Sequence, residues 1–215
     1  MAISSIKLHK ITWPILVKNK YKCAKNKTRS YGILYADAND IPEEDRKLYK
    51  NLYNRNISEK YFNNYRVNHF PIILSVATNS PGFFAGLKEN DLVLEVNKSN
   101  TNNFRKKLAN NMINQAILNI KILRENKILE KRLNGINICV YNIQPIPSGS
   151  PNAFADGNKV FITLAAIKLA RTNDELAFLI GHEIAHNILH YKSFNANEAE
   201  SISINYLDKP KIREF

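Results

Sequence analysis

The sequence is short of cysteine and of long apolar runs, and both shortages limit what it can encode. Its two cysteines, Cys23 and Cys139, lie in neither a CxxC motif nor a Cys/His cluster. At most one disulfide can form between them, and we expect two buried free thiols instead. Near the N-terminus the apolar run ITWPILV is interrupted by a proline, and no stretch approaches the roughly twenty apolar residues of a membrane span. The sequence therefore indicates neither a signal peptide nor a transmembrane segment, and it predicts no compartment.

Acidic side chains are also scarce relative to basic ones. The chain has 31 Lys and Arg against 19 Asp and Glu, which gives a formal net charge of +12 at pH 7. A basic surface attracts phosphate and anionic lipid. However, the lysines are spread along the chain, and no arginine-rich tract, zinc knuckle or RNA-binding aromatic signature accompanies them. We therefore predict no nucleic-acid partner and keep a basic nucleic-acid binder as the weaker hypothesis.

What the sequence does contain is a globular composition and a clear order of elements after residue 66. Apolar residues make up 44% of the 215 residues, which suits a protein with a sizeable core. The first 66 residues are predicted to form a mixed α/β lead-in. Apolar runs and turn signals then predict, in order, a strand at 71–77, a short helix at 83–87, a strand at 92–97, a helical stretch at 104–115, and two strands joined by a hairpin at Glu125 and Asn126.

The stretch SPGFFAGLKENDLVLEVN, together with the closing hairpin, resembles PDZ domains of the bacterial type over roughly residues 67–134. PDZ domains bind extended peptides by adding a strand beside one of their own. By this resemblance the carboxylate-binding loop falls at 68–71 and the groove strand at 72–76, and the partners are protein or peptide segments. The alternative is a small α/β module that only packs against its neighbour.

From residue 135 onwards the pattern predicts a further part of the chain. INICVYNIQ is typical of a buried strand, and NAFADGNKVFITLAAIKLA predicts a hairpin with its turn at Asp156 and Gly157, followed by a helix that ends near Arg171. The predicted domains are therefore the lead-in at 1–66, the PDZ-like domain at 67–134 and a third domain at 135–215.

The stretch RTNDELAFLIGHEIAHNILHY predicts a helix that carries three of the five histidines. Thr172, followed three positions later by Glu175, matches a capping box at its start. Apolar residues cover most of the helix surface, so we expect it to be buried on several sides. Histidines and a glutamate on a buried helix need partners, because an unpaired buried polar group costs on the order of a few kcal/mol.

The spacing of these polar residues matches the HExxH motif. His182 and His186 lie one turn apart on one face, so both imidazoles can reach a single zinc ion. Glu183 points beside the metal, where its carboxylate can take the proton of a zinc-bound water as general base. His190 does not have the offset of a third histidine ligand, and we interpret it as a residue near the site or on the surface. The alternative interpretation of the set is satisfied core histidines.

The wider stretch NAFADGNKVFITLAAIKLARTNDELAFLIGHEIAHNILH resembles metallopeptidase family forty-eight, which includes HtpX-type and CAAX prenyl proteases, over about residues 136–190. The resemblance implies a zinc peptidase with a third ligand from a later glutamate, and a strand near 152–155 that holds substrate in an extended form. We predict Glu214 as that ligand, with Glu198 in reserve, and a domain that is truncated after it. Relatives are periplasmic or membrane-associated, so the resemblance alone suggests association with a membrane.

These predictions combine into an α+β protein in which a PDZ-like module precedes the N-terminal half of a gluzincin-type metallopeptidase domain. The predicted function is a zinc-dependent metalloendopeptidase. One zinc ion is held by His182, His186 and Glu214, and Glu183 is the catalytic base. The alternative is an inactive peptidase remnant that acts as a PDZ-like peptide-binding module.

Overall fold

The computed structural model describes five stretches of the chain: residues 2–23, 27–36, 70–101, 115–189 and 213–214. They belong to two compact units, of which the first combines 1–28 with 137–208 and the second combines 29–136 with 209–215. The mixture of helices and strands in them confirms the predicted α+β class. Residues 104–114 of the predicted helical stretch lie outside the described part of the chain.

The helices and strands follow one another along the chain in the order α1 (Ala2–Lys18), β1 (Lys27–Ser30), β2 (Ile33–Ala36), β3 (Ile72–Val76), α2 (Pro81–Phe84), β4 (Leu92–Val96), β5 (Ser99–Asn100), β6 (Ile117–Arg124), β7 (Lys127–Asn134), β8 (Ile136–Cys139), β9 (Asn142–Ile146), β10 (Ala153–Ala155), β11 (Lys159–Thr163), α3 (Leu164–Leu169), α4 (Asn173–Leu189) and β12 (Arg213–Glu214). β1 and β8 form a two-stranded sheet. The predicted lead-in contributes α1 to the first unit and β2 to the second. The predicted three-part division of the chain stays a prediction.

The second unit is built on one antiparallel sheet with the strand order β12, β2, β3, β4, β6, β7, and β5 pairs with β4. Because side chains alternate between the two faces of a strand, every second residue can contribute to one core. The buried cluster that results consists of Tyr31, Ile33, Tyr35, Ile73, Leu87, Val93, Val96, Leu118, Ile120, Ile122 and Leu133.

Local sequence explains two connections of this sheet. Glu125 and Asn126 join β6 to β7 with φ angles of 48° and 63°, the positive values that a type I′ hairpin turn needs, so the predicted hairpin is confirmed. Helix α2 begins at Pro81, where the fixed φ of proline suits a first helical position. The Ser80 hydroxyl caps it by accepting a hydrogen bond from the Phe83 N–H at 3.1 Å. The short helix predicted at 83–87 therefore starts and ends earlier than expected.

The predicted groove strand is wrong, because the strand at 72–76 has no free edge. β3 pairs with β2 on one side and with β4 on the other. β3 lies between these two strands in the order of the sheet, so it does not offer the open edge that an added peptide would need. The strand at the end of the sheet, next to β12, is β2.

The first unit packs a small sheet against helices. β9 and β11 run parallel, β10 pairs antiparallel with β11, and the strand order is β10, β11, β9. The hairpin predicted at 156–157 is confirmed by the β10–β11 pairing. α1 packs against β9 and α4, and it contributes the buried side chains Leu8, Trp13 and Leu16.

The expectation of two free thiols is wrong, since Cys23 and Cys139 form a disulfide. Cys23 follows α1 and Cys139 ends β8, and both are buried in the first unit. Their Cα atoms are 5.5 Å apart, a normal separation for a disulfide. The two cysteines are 116 residues apart in the sequence, so their pairing could not be predicted without the fold that brings them together.

Candidate metal centre

Helix α4 starts with the hydrogen bonds that its sequence predicts. The Thr172 hydroxyl accepts a hydrogen bond from the Glu175 N–H at 3.1 Å. The Glu175 carboxylate accepts one in return from the Arg171 N–H at 2.7 Å, one residue before the usual partner in a capping box. Asp174 and Glu175 also place negative charge at the positive end of the helix dipole. These hydrogen bonds set the residue at which the helix begins, and so they determine the face of the helix on which each later residue lies.

The helix is buried along one face rather than on several sides, which corrects our expectation. Leu176, Ile180 and Ile184 lie at the i, i+4, i+8 spacing of a single stripe and are at most 2% exposed. This helix packs against β10, β11 and α1. Phe178 and Leu189, which we expected to be covered, are 79% and 71% exposed. The motif residues therefore lie beside a buried stripe on an otherwise accessible helix.

His182 and His186 are brought together by their spacing of one turn. Their Nε2 atoms are 3.0 Å apart, and their ring planes are nearly perpendicular, at 87°. Two nitrogens bound to one zinc at 2.0–2.1 Å with a tetrahedral angle would be about 3.3 Å apart. The donor set and the separation therefore fit one shared cation. His182 is exposed, so the pair can be reached from solvent.

Glu183 lies on the buried side of this pair. Its side chain is 8% exposed. Within the described ranges, its carboxylate has no hydrogen-bond or ion-pair partner. A carboxylate that lies beside two histidines and has no structural partner among the described residues is typical of a functional residue rather than of a structural one.

Asn187 is a residue of the site that the sequence did not single out. Its side chain is 3% exposed and bonds to the β10–β11 turn. Its Oδ1 accepts a hydrogen bond from the Gly157 N–H at 2.6 Å, and its Nδ2 donates one to the Lys159 carbonyl at 3.1 Å. In the sequence, Asn187 is recognisable only as a polar residue next to His186. Its partner Gly157 lies 30 residues earlier in the chain. Asn187 thus fixes the histidine helix against the turn of the hairpin.

Strand β10 forms the outer edge of the small sheet and lies against the histidine helix. Phe154 stacks on its cross-strand partner Phe161, with ring centroids 4.9 Å apart. Just before β10, Asn152 bonds to the Thr163 hydroxyl through both its N–H and its carbonyl, at 2.9 and 3.0 Å. Among the described residues, β11 is the one strand that pairs with β10. In the described ranges the second edge of β10 pairs with no strand, and its Ala153 N–H donates a hydrogen bond to the Asn152 Oδ1 at 2.9 Å.

The third ligand is the part of the prediction that the structure leaves open. His182, Glu183 and His186 lie together in the first unit, whereas the backbone of Glu214 lies in the second unit, opposite Leu34. Glu198 and His190 lie outside the described residues. In the described ranges, no group of three His, Cys, Asp or Glu side chains is placed to hold a metal ion. Glu214 as a zinc ligand stays a prediction.

Residues 132–203, which include the paired histidines, Glu183 and β10, match the family model described as Peptidase family M48. The family assignment made from the sequence is confirmed, and with it the class of metallopeptidase.

No curated protein matches this chain. Among the solved structures that match is the crystal structure of the HtrA3 PDZ domain bound to a phage-derived ligand, FGRWV. That match has 17% identity and a TM-score of 0.35, and it covers 52% of this chain and 88% of the other. Separately, none of the helices in the described stretches is both long and apolar enough to cross a membrane.

Proposed function

We propose that the protein is a zinc-dependent metalloendopeptidase in which His182 and His186 hold the metal and Glu183 is the general base. The observation that carries the proposal is the 3.0 Å separation of the two Nε2 atoms beside a carboxylate that is 8% exposed and unpaired within the described ranges. The family match of residues 132–203 supports the reaction class, which is hydrolysis of peptide bonds.

The metal has a defined chemical contribution in this proposal. Zinc, when bound, supplies Lewis acidity that polarises the scissile carbonyl and makes water more acidic. The remaining steps belong to the protein. The Glu183 carboxylate takes a proton from the attacking water as its oxygen bonds to the carbonyl carbon. The same proton then passes to the amide nitrogen as the C–N bond breaks, which leaves a carboxylic acid and an amine.

Substrate binding is assigned to the free edge of β10. An extended peptide can add to this edge through backbone hydrogen bonds, which makes recognition tolerant of sequence. Since β10 packs against α4, a peptide on it would lie beside the helix that carries Glu183. The Thr163 hydroxyl supports this edge by holding Asn152 at its start and by capping α3 through the Ala166 N–H at 3.1 Å.

A third protein ligand completes the proposed site, because catalytic zinc sites usually have three. We propose Glu214, with Glu198 as the alternative. Replacing each by glutamine in turn keeps the side-chain size and removes the charge. The true ligand is the one whose replacement weakens zinc binding, measured by competition with a chromophoric chelator.

The alternative function is an inactive peptidase segment attached to a peptide-binding module. The pairing of β12 with β2 favours peptide binding by the second unit, because it places an added strand on that edge. Cleavage separates the two functions, since a binding module retains peptide affinity without hydrolysis.

Metal analysis together with cleavage of an unstructured protein such as casein tests the proposal. We expect one zinc per chain, and cleavage that stops on chelation and returns with added zinc. His182→Ala and His186→Ala should lose both metal and cleavage. Asp174→Asn, an exposed change in the first turn of the same helix, should retain both. A protein that takes up no zinc, or that cleaves casein equally well after chelation, would overturn the proposal.

A further inference from the structure

The second unit carries at its edge a strand from a distant part of the sequence. β12 pairs antiparallel with β2, with Arg213 opposite Tyr35 and Glu214 opposite Leu34. On its other side β2 pairs with β3. Among the described strands, no other lies beyond β2, so β12 is what covers the end of this sheet.

We propose that β12, Arg213–Glu214, is an internal peptide ligand of β2, and we call this segment the tail. In this proposal it occupies the edge on which the second unit takes an extended peptide from another protein, and it must leave before such a peptide binds. An uncovered edge strand presents a row of backbone N–H and C=O groups, which is the template for strand addition. The tail satisfies these groups within the chain. The partner that replaces it is therefore an extended peptide running antiparallel to β2.

The edge is held by contacts that do not involve the tail. The Gly32 carbonyl, in the turn before β2, accepts a hydrogen bond from the Ala77 N–H at 2.9 Å. The preceding carbonyl, that of Tyr31, accepts one from the Gly82 N–H at 2.9 Å. A side chain at Gly82 would prevent this approach, since its Cβ would lie 2.8 Å from the Cγ1 atom of Ile33. The strand is therefore already ordered for a peptide, which lowers the entropy lost on binding.

The side chains of β2 also anchor the strand without the tail. All four residues of β2 are buried, with exposures of 2–3%. Ile33 and Tyr35 belong to the core cluster of the unit. Departure of a two-residue strand therefore removes backbone pairing from one edge, while Ile33 and Tyr35 still hold β2 in the core cluster.

The tail is suited to exchange because its pairing is short. Two residues make few backbone hydrogen bonds, so the segment binds weakly by itself. Its attachment to the same chain compensates, since a tethered segment acts at an effective concentration on the order of millimolar. A free peptide with more strand residues can then displace it. The pairing of β12 with β2 defines the direction and register of the partner peptide. It places no requirement on the side chains of that peptide.

Proline substitution in the full-length chain tests the proposal. Arg213→Pro with Glu214→Pro removes both backbone N–H groups of β12, which prevents strand pairing. Arg213→Lys with Glu214→Gln keeps both N–H groups and serves as the matched control. Both variants lose the Glu214 carboxylate, and both are measured in chelator, so zinc binding does not contribute to any difference between them.

The probe is the fluorescein-labelled peptide KPKIREF, the sequence of residues 209–215. Its binding is followed by fluorescence anisotropy. We expect the proline variant to bind it about tenfold or more tightly than the control, because the internal competitor is gone. Without peptide, deuterium uptake at residues 31–36 should be faster in the proline variant, while uptake in β6 and β7 stays the same and reports an intact sheet.

Two results would overturn the proposal. Equal affinity of the two variants would mean that the tail does not compete for the edge. A proline variant with unchanged β6 and β7 exchange that fails to bind the peptide would mean that the edge of β2 does not accept a strand. Neither result tests whether His182 and His186 hold zinc, and loss of zinc from His186→Ala would leave the peptide measurement unchanged.

Discussion

Asp91 in the second unit and Glu183 in the first are both acidic residues with little exposed surface, and they differ in what surrounds them. Asp91 accepts hydrogen bonds from the Arg124 Nε and Nη2 at 2.6 Å each and from the Lys88 N–H at 2.8 Å. Asp91 is fully buried, and its hydrogen bonds raise the pKa of the Arg124 guanidinium. Glu183 has no such set of partners in the described ranges.

We interpret this difference as that between a structural carboxylate and one that is available for chemistry. A buried charge stabilises a fold only when its oxygens are paired, as those of Asp91 are, and this pair joins β6 to the turn that precedes β4. A carboxylate without protein partners can instead bind a cation or a proton. Replacing Arg124 and replacing Glu183 test whether the two carboxylates belong to different classes.

The largest loss of stability is expected when Asp91 loses its partner. Arg124→Ala should destabilise the second unit by about 3–5 kcal/mol, because it leaves a buried charge uncompensated. Hydrogen exchange in β4 and β6 measures this loss. Arg132→Ala, an exposed change in β7, is the control and should have little effect. A loss as small as that of the control would show that the Asp91 pairing is not structural.

The next effect concerns His9, a buried titratable residue of the first unit. Burial, with a smaller contribution from Lys10, lowers the pKa of His9 to about 4. As pH falls from 6.5 towards 4, the unfolded chain takes up a proton that the folded chain refuses, so stability decreases. The difference of about 2.5 units corresponds to about 3 kcal/mol.

Urea unfolding at pH 7 and pH 4 measures this dependence, with the fluorescence of the single tryptophan, Trp13, as the signal. Trp13 is buried in α1 and reports on the first unit. His9→Gln removes the titration and should lose less stability between these pH values than the unchanged protein. The same slope in both proteins would contradict the assignment.

A smaller effect is expected at Asn187, which joins the histidine helix to the β10–β11 turn. Asn187→Ala leaves the buried Gly157 N–H without its acceptor and should cost about 1–3 kcal/mol in Trp13-monitored unfolding. Asn187→Asp keeps an acceptor for Gly157 and loses the donor to Lys159, so it should cost less. Equal losses for the two variants would mean that the Gly157 bond is not the important one.

Local patterns predicted much of this fold, since a short stretch of sequence is enough to define them. The hairpin at Glu125 and Asn126, the capping box of α4 and the paired histidines are of this kind. The disulfide and the contacts of Asn187 depend on residues far apart in sequence, and their positions follow only from the fold.

Two errors have related causes. The resemblance to PDZ domains predicted the groove strand at 72–76, within an apolar run, although β2, an equally buried strand, lies at the end of the sheet. Helix α4 was expected to be covered on several sides because apolar residues surround it, yet Phe178 is exposed. Apolar composition indicates which residues can be buried, and the packing and pairing of the elements in the fold determine which residues are buried.

Glu183→Gln tests the central claim most directly, through its rate of casein cleavage at full zinc occupancy. The variant removes the charge and keeps the size, so we expect zinc binding to remain and stability to stay within about 1 kcal/mol or to rise. Cleavage should fall by about 10²–10⁴-fold, the usual contribution of a general base. A zinc-loaded variant that cleaves as fast as the unchanged protein would contradict the account.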